Sequence, residues 1–190
     1  MKVIELTAPR IDALRSSTYP DPTSGPGDVL IRLRADSLNF LDIAVATGKY
    51  PLCEFPIIPV TDGAGEIAAL GTAVTNWKVG ARVIPHFIPN WQDGRMPAVG
   101  GGPRRGIDLP GSLAEYVTVP AHSLVLTPAH LSDAEAATIP IAATTAWRAV
   151  RSAALGPHKT ALLLGHRRSL AFCATVCQGS RITCHRYVVF

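Results

Sequence analysis

The stretch "VLIRLRADSLN" (residues 29–39) alternates apolar and polar side chains, and a period of two residues is that of a half-buried β-strand. Its apolar positions are Val29, Ile31, Leu33 and Ala35, and its polar positions are Arg32, Arg34 and Asp36. Residues 1–125 contain several such short strands, separated by turns rich in glycine and proline. This organisation predicts a β-rich, barrel-like domain.

The hydrophobic period changes at residue 132. Ser132 is a plausible N-cap with Glu135 at the capping-box position, and Pro140 then breaks or restarts the helix. The apolar run "ALLLG" (161–165) is typical of a buried parallel strand. We therefore predict a helical connector over residues 126–158 and a first α/β strand over residues 159–165.

The net charge of +4 comes from the end of the chain. The 18 basic residues exceed the 14 acidic ones by four, and four arginines lie after residue 165: Arg167, Arg168, Arg181 and Arg186. This distribution argues against a nucleic-acid partner. No apolar run reaches the roughly 18 residues of a membrane span, and the first ten residues lack a signal-peptide pattern. We expect a cytoplasmic protein without a membrane partner.

Two glycine-containing segments could bind phosphate or another anion. The segment "TDGAGEIAA" (61–69) matches a relaxed dinucleotide fingerprint, but it continues as a strand and not as a helix, so we interpret its glycines as small residues at a crowded bend. The segment "VGGGPRRG" (99–106) could form an amide nest beside Arg104 and Arg105. Such stretches are more often surface loops, and we favour that interpretation.

The sequence offers little for a metal ion. The histidines at positions 86, 122, 130 and 158 are isolated, as is Cys53. The end of the chain contains Cys173, Cys177, Cys184 and His185, but no surrounding turn pattern supports a zinc site there. We predict no metal site.

The segment "SLNFLDIAVATGKYP" (37–51) places Asn39 and Asp42 three residues apart after a strand. Polar side chains at such a position can line a cleft. Equally, Asn39 can cap the helical turn and satisfy its backbone groups. The sequence leaves both alternatives open.

In order along the chain, the blocks "LNFLD", "GKYP", "PIIPVTDGAGEI", "GTAVTNWKVGARV", "GSLAEYV" and "LSDAEAATIPIAATTAW" resemble the medium-chain dehydrogenase/reductase superfamily. The resemblance covers residues 1 to about 165. It implies a mainly β chain: a GroES-like β-barrel followed by a helical connector and the first strand of a Rossmann domain, an α/β remnant. It also implies NAD- or NADP-dependent hydride transfer with an alcohol, aldehyde, quinone or enone, and a possible homodimer in intact members.

The resemblance also assigns candidate site residues. Zinc-using members have a cysteine where this chain has Asn39 and Gly-His-Glu where it has Thr61-Asp62-Gly63, so the chain resembles the zinc-independent branch. By the resemblance, Asn39 and Asp62 are catalytic candidates, and Asn39, Asp42 and Thr144 are cofactor-binding candidates. In such enzymes the hydride chemistry belongs mainly to the cofactor.

Residues 166–190 depart from the family pattern, which continues after the first strand with a glycine-rich turn. Here His166, Arg167 and Arg168 follow Gly165. Codons permitted by residues 166–190, read one base forward, allow a glycine-glycine turn, an amphipathic helix and a strand in family order. We therefore predict an unstructured tail after a frame disruption, a truncated and inactive chain, and no bound NAD(P). The alternative is a non-catalytic barrel module that acts through protein contacts.

Overall fold

The computed structural model describes residues 1–50, 54–91, 93–96, 102–154, 159–165 and 167–188. The chain divides into two compact units, Met1–Pro140 and Ile141–Phe190. The boundary lies inside the predicted connector (126–158) and not at residue 125, because Ala136 and Ala137 pack with Ala64 and Ile84 in a core cluster of the first unit.

The described residues of the first unit form seven strands in two sheets. They are β1 (Lys2–Leu6), β2 (Leu14–Thr18), β3 (Asp28–Ser37), β4 (Asp62–Leu70), β5 (Arg82–Pro85), β6 (Tyr116–Pro120) and β7 (Leu124–Leu126). Strands β1 and β2 form one antiparallel pair, and the other five form an antiparallel sheet in the order β6-β3-β4-β5-β7. Helices α1 (Phe40–Ala46) and α2 (Asp133–Ala136) and short 3-10 turns at Ile11–Ala13 and Ala121–Ser123 complete the unit.

The alternation seen in β3 positions the core of this sheet. Val29 and Ile31 are fully buried and pack against Ile67 of β4 and Val83 of β5. Gly65 of β4 faces the backbone of β3 so closely that a Cβ there would lie 2.2 Å from the carbonyl oxygen of Arg32. The prediction that "TDGAGEIAA" continues as a strand is confirmed, since Asp62–Leu70 is β4. Its glycines lie within that strand and not at the bend that we expected.

A π-helical turn, Ile139–Ala143, leads from the first unit into the second. The second unit continues with α3 (Thr144–Ser152), β8 (Thr160–Gly165), α4 (Arg167–Gly179) and β9 (Thr183–Val188). Strands β8 and β9 pair in parallel. None of the helices in the described parts of the chain is long and apolar enough to cross a membrane.

The prediction of an unstructured tail is wrong for residues 167–188, which form α4 and β9. Cys173, Val176 and Cys177 recur at helical spacing and pack with Val150 and Ile182. Most helical stability in proteins comes from packing an apolar face, so a missing cap does not prevent a helix.

Candidate active site at the start of α1

The ends of two antiparallel strands bring the predicted site residues of the first unit together. Strand β3 ends at Ser37, which pairs with Asp62, the first residue of β4. Asn39 follows two residues later, and its Nδ2 donates a hydrogen bond to Oδ2 of Asp62 over 2.9 Å. Asp62 is completely buried. Asn39 and Asp62, which are 23 residues apart in sequence, are therefore direct partners.

Asn39 is also the N-cap of α1. Its backbone N–H donates to Oδ2 of Asp42 over 2.6 Å, and the N–H of Thr61 donates to Oδ1 of Asp42 over 3.1 Å. Burial raises the pKa of the Asp42 carboxyl, and these backbone hydrogen bonds oppose that rise. Asn39 thus occupies the capping position, and Asp42 joins α1 to the backbone before β4. Its predicted contact with a cofactor remains a prediction.

The backbone before Asp62 has a left-handed conformation at Val60, with φ of 72°. This region is unfavourable for a β-branched residue. Its neighbours hold it there: the carbonyl of Val60 accepts from the N–H of Ser112 over 2.8 Å, and the N–H of Gly111 donates to Ile58 over 2.7 Å. A Cβ at Gly111 would lie 2.3 Å from the carbonyl oxygen of Pro59, so this approach requires glycine.

The sequence analysis missed the buried role of Arg105. Its side chain is 1% exposed, and its Nη2 donates to Oγ of Ser112 over 3.1 Å. Burial lowers the pKa of Arg105 to about 10, while the charges of Asp36 and Asp62 act in the opposite direction. Burial likewise raises the pKa of Asp36 to about 6, with Arg105 opposing. The charges of Arg105, Asp36 and Asp62 therefore affect one another, and Asp62 is the one of the three that is bonded to Asn39.

The adjacent Arg104 behaves differently. It forms an ion pair with Asp108 over 2.7 Å and donates to the Tyr50 hydroxyl over 2.6 Å. No sequence signal separates two consecutive arginines into one surface and one interior residue. The predicted amide nest includes residues 99–101, which lie outside the described residues.

Thr144 is the first residue of α3 and is exposed in the second unit. Its predicted place against the nicotinamide ring stays a prediction. In the first unit, a cavity of about 520 Å³ lined by residues such as Tyr19, Ile57 and Pro110 does not include Asn39, Asp42 or Asp62.

The family model for the alcohol dehydrogenase GroES-like domain matches residues 25–129, more than half of the chain. The chain belongs to this family. The match contains the segment from β3 through β7, and therefore Asn39, Asp62 and Arg105. The expected fold class and superfamily, a GroES-like domain of medium-chain dehydrogenase/reductase type, are confirmed.

Relatives of this GroES-like chain carry oxidoreductase names. The zinc-type alcohol dehydrogenase-like protein of Schizosaccharomyces pombe is 36% identical, over 81% of this chain and 46% of that protein. The chloroplastic quinone-oxidoreductase QR1 of Triphysaria versicolor is 35% identical, over 79% of this chain and 43% of that protein. A solved NAD-dependent alcohol dehydrogenase has a TM-score of 0.85 at 27% identity, over 98% of this chain and 57% of that one.

This GroES-like chain spans about half the length of the curated relatives it matches. Its residues do not fit a catalytic zinc ion. An amide stands at Asn39, and the carboxylate of Asp62 already accepts a hydrogen bond from it. Among the residues that the structure describes, no three His, Cys, Asp or Glu side chains are grouped to hold a metal ion. Zinc ligation requires thiolate, imidazole or carboxylate donors, and the amide of Asn39 is none of these.

Proposed function

We propose that the chain is the substrate-binding and catalytic part of a zinc-independent, NAD(P)-dependent medium-chain oxidoreductase acting on an alcohol, aldehyde, quinone or enone. The hydrogen bond between Asn39 and Asp62 supports this proposal most directly. The resemblance assigns these two positions to metal ligands in zinc-using members, and here the hydrogen bond fixes a neutral donor at Asn39.

Asp62 determines how the Asn39 amide is oriented. An ionised carboxylate only accepts hydrogen bonds, so the side of the amide facing Asp62 must be the NH₂ group. One N–H of that group is used by Asp62. Within the described part of the chain, the second N–H has no protein acceptor. It is the group that we assign to a substrate oxygen.

A fixed donor of this kind stabilises negative charge that develops on a carbonyl oxygen during reduction, or on an alcohol oxygen during oxidation. Asn39 is accordingly the catalytic residue of the proposal. Asp62 is completely buried and acts through Asn39, so we assign it a positioning role. In the proposed function Asp42 fixes the first turn of α1, and Thr144 is the residue that the resemblance assigns to the nicotinamide ring.

The residues of this chain do not fit a dinucleotide. Strand β8 ends at Gly165 and α4 begins at Arg167, where a nucleotide-binding domain requires a glycine-rich turn that lets the pyrophosphate approach the backbone. No glycine occurs between residues 165 and 179. We propose that the 190-residue chain does not bind NAD(P) and is inactive alone.

Fluorescence titration with NADPH tests this part of the proposal. We expect no saturable change at micromolar concentrations of NADPH. Saturable micromolar binding by the purified 190-residue chain would contradict it.

Sequencing the DNA through and beyond codon 165 tests the reading-frame hypothesis. That hypothesis fails if neither alternative frame encodes a family-like continuation.

The role of Asn39 is testable in a chimera that joins residues 1–165 to the part of the S. pombe relative that follows the matched region. Asn39→Ala should lower kcat/KM about 100-fold, the effect of removing one donor to a developing charge. Asn76→Ala, at an exposed turn position, is the control and should have no effect. Metal chelators should also leave activity unchanged. Activity that depends on zinc, or an unaffected N39A variant, would overturn the assignment.

A further inference from the structure

The cavity of about 520 Å³ in the first unit is lined by none of the residues of the candidate active site. It lies between the segment that precedes Val60 and the segment that contains Asp108. Cavities of about 300–1,000 Å³ are the usual size of sites for small organic ligands. The cavity therefore has room for such a ligand, and its lining indicates which chemical class fits.

The buried part of the cavity lining is apolar and is fixed by backbone hydrogen bonds. Ile57 and Ile107 both line the cavity and are buried. The backbone of Ile57 exchanges two hydrogen bonds with Leu6, over 2.8 and 3.0 Å, and the N–H of Leu109 donates to the carbonyl of Arg104 over 3.0 Å. A preformed apolar surface favours a ligand with an apolar body, because little conformational freedom is lost on binding.

The polar side chains of the described lining offer hydrogen-bond acceptors. Glu54 and Asp108 carry carboxylates, and no Lys, Arg or His side chain belongs to the described lining. The third polar side chain is that of Tyr19, whose O–H donates to Oε2 of Glu5 over 2.5 Å. The Tyr19 oxygen therefore has only lone pairs left for a ligand. A bound molecule must supply the donors, and a cleft lined by charges of one sign attracts the opposite charge.

The two carboxylates differ in how far their charge is already compensated. Arg104 binds Asp108 through two nitrogens: Nε donates to Oδ2 over 2.7 Å, and Nη2 donates to Oδ1 over 3.1 Å. Glu54 is exposed and has no hydrogen-bond or ion-pair partner among the residues that the structure describes. The negative charge available to a ligand is therefore that of Glu54.

We propose that this cavity binds a small organic cation, an ammonium group on an apolar body. The ammonium group pairs with the carboxylate of Glu54, and the apolar body lies against Ile57 and Ile107. The site contains none of the residues assigned to hydride transfer, so the inference goes beyond the proposed function and does not rest on it.

Three ligands that share one apolar body and differ in charge test this inference: 4-phenylbutylamine, 4-phenylbutanol and 4-phenylbutyrate. They are titrated into the ¹⁵N-labelled 190-residue chain at about pH 7, where the amine is protonated. The amine should shift the backbone amide signals of Ile57, Ile107 and Leu109 saturably, with a dissociation constant of about 0.1–1 mM. The alcohol should bind up to about fivefold more weakly, the contribution of an exposed ion pair, and the butyrate more weakly still.

Glu54→Gln is the variant that decides the role of the charge. It keeps the size of an exposed side chain, so we expect the fold to be unchanged, and it should bind the amine and the alcohol with equal affinity. Asp12→Asn is the matched control, because it removes the carboxylate of a 74% exposed side chain that does not line the cavity. It should keep the full preference for the amine.

The inference is overturned if the amine shifts only signals outside the cavity, or if the alcohol or the butyrate binds as tightly as the amine. It is also overturned if E54Q keeps the preference for the amine. Binding that does not saturate below about 10 mM would identify the amine as an adventitious additive only, with the same consequence. None of these results affects the role of Asn39, which the activity of N39A tests separately.

Discussion

The two units bury their polar groups in different ways. The first unit places ionisable side chains in its interior and satisfies them with specific partners, as Asp42 does with the N–H groups of Asn39 and Thr61. The second unit packs Cys173, Cys177 and Cys184 with apolar neighbours and contains no buried ionised pair among its described residues. Among the described residues, the interior of the first unit therefore contains polar groups with specific partners, whereas that of the second consists of packed apolar and thiol side chains.

The largest loss of stability in the first unit is expected from a substitution that forces β3 and β4 apart. Gly65→Ala places a methyl group within 2.2 Å of a backbone oxygen of Arg32, so we expect the free energy of unfolding to fall by about 3 kcal/mol or more. Urea unfolding followed by tryptophan fluorescence measures it. Gly179→Ala at the end of α4, where no atom lies within 4 Å, should change stability by less than about 0.5 kcal/mol. Equal effects at both positions would contradict the packing described for β4.

The folded state of the second unit can be tested through its thiols. Cys177 is completely buried, and burial and the neighbouring Cys184 raise the pKa of its thiol. Because the thiolate is the reactive form, alkylation of Cys177 near pH 8 should be about a hundredfold slower in the native chain than in urea. Peptide mass spectrometry resolves each cysteine. Equal rates at Cys177 in both conditions would instead support the unstructured tail expected from the sequence.

The pH dependence of stability should report on Asp36, whose pKa is raised to about 6. A carboxyl with a raised pKa destabilises the fold when it ionises, so this penalty is absent below the unfolded pKa and complete above about pH 6. Compared with Asp36→Asn, the unsubstituted chain should lose about 1 kcal/mol between about pH 4 and pH 7, well below the full shift because the residue is exposed to solvent. Denaturant titrations at each pH measure this difference.

Asp12→Asn is the control for that comparison. Asp12 is 74% exposed and pairs with Arg10 on the surface, so the substitution should leave the pH profile unchanged. If the free energy of unfolding depends on pH in the same way in D36N and in the unsubstituted chain, the pKa of Asp36 is not raised in the folded state.

The smallest effect is expected at the cap of α2. The backbone N–H of Glu135 donates to the side chain of Ser132, and the Glu135 carboxylate accepts from the N–H of Ser132 over 2.9 Å. Ser132→Ala should lower stability by about 1 kcal/mol. Thermal unfolding checks this value, with Thr138→Ala, just beyond the helix, as a comparison expected to change less. If T138A lowers the stability more than S132A does, the cap of α2 does not explain the effect of S132A.

The sequence predicted those elements whose formation depends on residues close together in the chain. The alternation from Val29 to Ala35 identified β3, and the pairing of Ser132 with Glu135 identified the start of α2. The proximity of Asn39 and Asp62 depends on the register between β3 and β4, which no single segment contains. The resemblance supplied both residues as candidates, but their hydrogen bond is a finding of the structure.

The failures have equally specific causes. Arg105 was grouped with Arg104 because adjacent residues of one type look alike in sequence, whereas Ser112 and Asp36 lie beside only one of them. The prediction of an unstructured tail after residue 165 relied on the absence of helix caps and of a glycine-rich turn. The contacts of Cys173, Val176 and Cys177 with Val150 and Ile182 are tertiary, and they determine the helix.

The left-handed backbone conformation of Val60 also determines which substitutions this bend can accept during evolution. Glycine at that position would remove the steric penalty of the side chain, whereas every other residue except asparagine or aspartate would keep or increase it. Replacing Val60 by glycine would relieve the backbone strain of the folded state, but it would increase the conformational entropy of the unfolded chain. The neighbouring Gly111, by contrast, has no tolerated alternative, because any side chain there would meet the carbonyl of Pro59. The tight bend before Asp62 thus has one position open to substitution and another that is closed.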